Sequence, residues 1–82
     1  MSTEHDHFME RAMALATQAM NEGNRPAGAV IVRDGKAIGE GRNLVVTACD
    51  PTAHGEIVAI RSTTASLKSV DLTGSKIGRA HV

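Results

Sequence analysis

The sequence predicts an α/β domain that runs helix, β-hairpin, helix and then the start of a third strand. Three patterns carry this prediction: apolar residues at helical spacing before Gly23, a continuous apolar run leading into Asp34-Gly35, and helix-starting chemistry ahead of a second apolar segment at Ile57. With 82 residues the chain is one small domain. A core of that size supplies only about 3–5 kcal/mol unless a metal, a disulfide or a partner adds to it.

Thr3-x-x-Asp6 has the form of a capping box with Asp in place of Glu, and Glu4 and Asp6 suit the positive end of a helix. Phe8, Ala12, Leu15, Ala16, Ala19 and Met20 follow the i, i+3, i+4, i+7 rule, with Met9 and Met13 at the margin of the stripe. The spacing predicts a helix from about Glu4 to Glu22, closed by Gly23. His5 and His7 fall in its first turn, as solvated side chains or as metal ligands. Asn24-Arg25-Pro26 then breaks the helix. Ala27 to Val32 has the length and uninterrupted apolar character of a strand buried on both faces. Asp34-Gly35 predicts the hairpin turn, and Ala37 to Asn43 the antiparallel return strand. Gly39 and Gly41 weaken that strand, and mark either a bulge or a close approach by another element.

Asp50 suits a helix N-cap and Pro51 the first helical position, so the second helix is expected from about Pro51 to Lys68. Its expected buried stripe is Ile57, Ile60, Thr64 and Leu67, with Val58 and Ala65 alongside. Ser62-Thr63-Thr64 is poor helix material, which leaves packing to hold the second half. His54 and Glu56 are thereby placed in the first turn, where unpaired N–H groups favour a hydroxide or another developing anion. Residues two apart do not share a helix face, so the pair can converge only on a site met end-on at the helix tip. Val70 to Gly74 reads as the loop into the third strand, and Leu44 to Ala48 as a connection that lines a pocket wall.

Nine basic and nine acidic residues give a formal charge of zero, so no global field argues for nucleic acid or an anionic membrane. Phe8 is the only aromatic residue, and packing falls to aliphatic side chains and four Met. A single cysteine, Cys49, excludes an internal disulfide and cannot by itself build a thiolate zinc site; it reads as a loop thiol, a ligand or a nucleophile. A cytoplasmic location is the natural expectation, with neither a signal peptide nor a membrane span in the pattern.

Pro26 to Lys36, Ile38 to Asn43 and Asp50 to Arg61 together resemble the zinc-dependent cytidine and deoxycytidylate deaminase superfamily. Within it the likeness is to the guanine, nucleoside and tRNA-adenosine deaminase branch, and it runs from about Phe8 to Gly74. The superfamily signature is His-x-Glu followed by Pro-Cys-x-x-Cys, in which one His and two Cys hold zinc and the Glu shuttles protons. The resemblance implies a helix-covered mixed sheet in three α/β/α layers. It also implies zinc as cofactor, His54 as a zinc ligand and Glu56 as the catalytic proton shuttle. Asn43 is a turn-forming residue by its pattern alone, whereas the resemblance implies that it hydrogen-bonds the substrate base or sugar. The implied partners are a small-molecule base or nucleoside and, in a complete protein, a second copy of the chain.

No Pro-Cys-x-x-Cys occurs in the sequence. Residues 1–76 are therefore expected to be the N-terminal part of a purine-type base or nucleoside deaminase, inactive on its own. A tRNA-adenosine or cytosine/cytidine deaminase, and a non-catalytic α/β binding module, are the alternatives. Residues 77–82 are expected to be a non-native tail, since Gly78 and Arg79 oppose strand formation. Ile-Gly-Arg-Ala-His-Val is also the translation of the common sequencing-adapter string ATC GGA AGA GCA CAC GTC, so His81 is not counted as a ligand.

Overall fold

The computed structural model describes residues 3–81, in the order α1 (Thr3–Asn21), β1 (Ala27–Arg33), β2 (Lys36–Arg42), α2 (Gly55–Leu67) and β3 (Lys76–His81). Ala12, Leu15, Ala16 and Ala19 form the buried stripe of α1, flanked by half-buried Phe8 and Met9. Met20, expected in that stripe, is exposed. The expected capping box involves side chains outside the described ones. At the other end Gly23 takes φ +94°, which lets its N–H donate to Met20 O (3.0 Å) and the Asn24 N–H to Ala19 O (2.9 Å). This pair of bonds is a Schellman motif, and it stops the helix where glycine permits a left-handed residue.

The sheet has the order β2-β1-β3, with both neighbours antiparallel to β1. As the central strand β1 has both faces covered, which is why its sequence is an unbroken apolar run. Val30 joins Ala12, Leu15 and Ala80 in a cluster under α1, and Ala29 and Ile31 join Ala59 in a cluster under α2. The result is a three-layer α/β/α arrangement. Asp34 and Gly35, both at positive φ, make the hairpin turn. Ile31 pairs with Gly39 and Val32 with Ala37, so Ile38 bulges out of β2 and packs on the α2 side.

Both expected meanings of the β2 glycines are thus realised. A Cβ on Gly39 would run into the Thr63 side chain, and one on Gly41 into the backbone of Gly55 and Ala59. This contact corrects the expected buried stripe of α2. The residues that face the sheet are Gly55, Ala59 and Thr63, at spacing i, i+4, i+8. Ile57, Val58, Ile60 and Thr64 are only half-buried, and Leu67 is exposed. Small residues win because a helix resting on a glycine-bearing strand approaches too closely for Ile or Leu to fit between.

Two bidentate ion pairs tie α1 and the turn that follows it to β2: Arg11 to Glu40 at 2.6 and 2.9 Å, and Arg42 to Glu22 at 2.5 and 3.0 Å. The remaining correction concerns the end of the chain. Lys76–His81 is a strand paired with β1 along its length, with Ala80 buried under α1, although Gly78 and Arg79 were expected to oppose it.

Candidate active site

The start of β1 and the ends of β2 and β3 lie at one end of the sheet, opposite the N-terminus of α2. They enclose a cleft of about 660 Å³, lined among others by Arg25, Ala27, Asn43, Val45, His54 and Glu56. That volume is in the range of small-molecule sites. All three residues singled out in the sequence, Asn43, His54 and Glu56, therefore face one space.

The second helix begins later than Asp50-Pro51 implied. Asp50 is not its N-cap: the carboxylate accepts from the Thr52 N–H (2.9 Å) and Oγ1 (2.7 Å), and Pro51 and Thr52 form a turn. Those bonds, with Arg61 at 3.4 Å, hold the Asp50 carboxyl below its ordinary value. The N-cap is His54, in extended conformation with no side-chain capping bond, and its carbonyl accepts from the Val58 N–H at 2.9 Å. His54 thus sits on the tip of the helix instead of inside its first turn, and lines the cleft. Glu56 is in the first turn, where its charge complements the helix dipole. His54 Nδ1 and Glu56 Oε1 are 3.8 Å apart, too far for a direct hydrogen bond but close enough for one small ligand to touch both. The end-on geometry required by their spacing is what the helix tip provides.

Asn43 is 3% exposed and anchored at both ends of its residue. Its N–H donates to Ala27 O at 2.9 Å, which locks the end of β2 to the start of β1, and its Oδ1 accepts from the Val45 N–H at 3.0 Å. The turn-forming role and a place on the cleft are therefore compatible. Of the Leu44–Ala48 connection, expected as a pocket wall, Val45 lines the cleft. Cys49 is exposed at φ 52° and does not line it. His7 is exposed and contacts Phe8, and His5 lines a separate recess with Val32 and Asp34 at the far end of β1.

Sequence reasoning missed Arg25 and Asn24, and set Arg79 and His81 aside as part of the expected tail. Arg25, Arg79 and His81 line the cleft. Asn24 supports it from behind, and the only local signal was its place beside a helix-ending glycine. Among the described residues no three His, Cys, Asp or Glu side chains converge as a metal site. A catalytic zinc takes three protein ligands and a water, so this donor set does not fit a zinc centre by itself.

A family model described as the cytidine and deoxycytidylate deaminase zinc-binding region matches residues 2–78. The chain is 53% identical over 58 residues to a guanine deaminase of Bacillus subtilis, a stretch that covers 70% of this chain and 37% of the relative. It is 42% identical over 77 residues to a tRNA-specific adenosine deaminase of Haemophilus influenzae, covering 92% of this chain and 44% of the relative. The chain thus spans less than half the length of these two curated relatives. Among solved structures, one from a study of A-to-I editing by tRNA:A34 deaminases superposes with a TM-score of 0.91 at 36% identity, over 95% of this chain and 60% of its own. The X-ray structure of guanine deaminase from Bacillus subtilis gives a TM-score of 0.84 at 41% identity, over 96% of this chain and 50% of its own. On these matches the chain belongs to the cytidine and deoxycytidylate deaminase family.

Proposed function

We propose that the chain is the N-terminal part of a zinc-dependent hydrolytic deaminase acting on a purine-type base or nucleoside. The observation that carries this reading is the meeting of Asn43, His54 and Glu56 on one cleft at a helix tip. The purine preference draws on the relatives, since guanine deaminase and tRNA-specific adenosine deaminase are both named for purines.

In this reading His54 is one of the three protein ligands of zinc in the complete enzyme. With the other two absent from the described donor set, the 82-residue chain turns nothing over by itself. Hydrolytic deamination exchanges an exocyclic amino group for a water oxygen. One proton passes from the water to a ring nitrogen as the oxygen adds, and a second passes from the added hydroxyl to the amino nitrogen, which leaves as neutral ammonia. Glu56 performs both transfers, because an ionised carboxylate only accepts and the protonated acid donates. Asn43 orients the base with its amide.

The test is Glu56→Gln in a form of the gene that carries activity. The variant keeps fold and metal while turnover falls by a factor on the order of 10² or more. Near-normal turnover would place the proton shuttle on another group.

A further inference from the structure

Three consecutive backbone N–H groups in the connection after β2 are satisfied by two asparagine side chains. Val45 donates to Asn43 Oδ1, and Val46 and Thr47 both donate to Asn24 Oδ1, each at 3.0 Å. Asn24 Nδ2 in turn donates to Thr47 Oγ1 at 3.1 Å. Asn24 is only 6% exposed, and its backbone is pinned to the end of α1 by the bond to Ala19 O. The Schellman end of α1 therefore carries a rigid acceptor that grips the middle of the loop, and the loop supplies Val45 to the cleft wall.

The grip has a chemical consequence at Asn43. Only an oxygen can accept from the Val45 N–H, so while the loop stays in place Oδ1 is turned to it and Nδ2 is the edge left for a ligand. Asn43 Nδ2 has no hydrogen-bond partner among the described residues. Were the loop to swing out, the Val45 N–H would leave Oδ1 and the amide could present either edge. We infer that Asn24 is a positioning residue: by holding Val46 and Thr47 it fixes the Asn43 amide with its donor edge towards a ligand that offers an acceptor, such as the carbonyl oxygen or a ring nitrogen of a purine. This rests on the reading of the cleft as a base pocket.

The test is a heteronuclear NMR titration of the 82-residue chain with guanosine, combined with amide exchange, on wild type, Asn24→Ala and Asn24→Asp. In Asn24→Ala the loop N–H groups of Val46 and Thr47 lose their acceptor, so these two amides exchange faster and guanosine affinity falls by about tenfold. Asn24→Asp keeps the acceptor, and restores both exchange protection and affinity to within about twofold of wild type. Asn24→Ser, whose shorter hydroxyl reaches at most one of the two N–H groups, gives the same contrast where the alanine variant does not fold. Guanosine affinity unchanged in Asn24→Ala overturns the inference and leaves the base-pocket reading standing. Unchanged exchange at Val46 and Thr47, or no rescue by Asp, also overturns it. A wild-type chain that does not bind guanosine refutes the base-pocket reading, and the inference falls with it.

Discussion

Gly41→Ala tests the packing on which the site depends. Gly41 carries no positive φ, so alanine can adopt its backbone, and on chain entropy alone the change would stabilise by roughly 0.4–1 kcal/mol. Sterics oppose it. The new Cβ would lie 2.5 Å from Gly55 O and 2.8 Å from the Ala59 Cα, whereas ordinary contact begins at 3.4 Å. The Ala59 N collides as well, and all these partners are backbone, so no side chain can swing aside and α2 must retreat by about an ångström. Overpacking of this kind costs about 1–3 kcal/mol, which exceeds the entropic gain. Denaturant titration should therefore show a lower midpoint at unchanged slope. Gly78→Ala is the control, since its Cβ would meet only Met9 Sδ at an ordinary 3.5 Å, and it should stay within about 0.5 kcal/mol of wild type. Ala59→Gly should not rescue Gly41→Ala, because the colliding atoms of residue 59 are main-chain atoms. The displaced turn is the one that carries Glu56, so in an active form the same substitution should cut turnover on the order of 10²-fold, the usual result of an ångström misplacement. A Gly41→Ala chain as stable as wild type would refute the close packing of α2 on β2.

Two further outcomes follow from the charges and the donor set. The Arg42 guanidinium, hydrogen-bonded to Glu22, holds that carboxyl below its ordinary value of 4.5, and Arg11 does the same for Glu40. Folded values below the unfolded ones mean that this stabilisation is fully present above pH 4.5 and is lost as the pH falls through the lowered values. Thermal melts from pH 7 downwards should show an acid limb that is shallower in a Glu22→Gln, Glu40→Gln double variant, and an identical limb would refute the assignment. With one recognisable ligand in the cleft, the purified chain should hold less than one zinc per chain by elemental analysis. Tight stoichiometric zinc that disappears in His54→Ala would overturn this.

Much of the fold was legible because local signals agreed with the tertiary context. Helical periodicity and Gly23 delimited α1, and the Ala27–Val32 run with Asp34-Gly35 gave the central strand and its turn. The buried face of α2 was not legible. Periodicity assigns the large apolar residues to the interior, yet the face was chosen by what it rests on, the glycines of β2. The start of α2 was misplaced for a related reason: an Asp-Pro-Thr segment suits a cap and a turn equally, and Asp50 is used in the turn. Local pattern and resemblance together singled out His54, Glu56 and Asn43, which share the cleft. Asn24 and the Arg11–Glu40 and Arg42–Glu22 pairs join residues 20 or more positions apart, and no local signal announces them.

Strand β3 shows the limit of propensity from the other side. Its side chains contribute little to the interior: Ala80 alone is buried, Ile77 is 44% exposed, and Gly78 has nothing to pack. What the segment does have is a backbone without proline and a partner with a free row of N–H and C=O groups. The β1 strand, paired with β2 on one side, presents that row on its other side, and leaving it bare would strand polar groups beside a core already closed by Val30 and Ile31. Pairing satisfies them whatever the side chains are, provided that the position under α1 is small and apolar, as Ala80 is. The requirement therefore falls on one residue in six. Gly78 and Arg79 are tolerated because nothing collides with Gly78, which lies beneath Met9 with room even for a Cβ, and Arg79 is exposed and lines the cleft. An open template sets the conformation of such an edge strand, and sequence decides only which of its faces is kept dry.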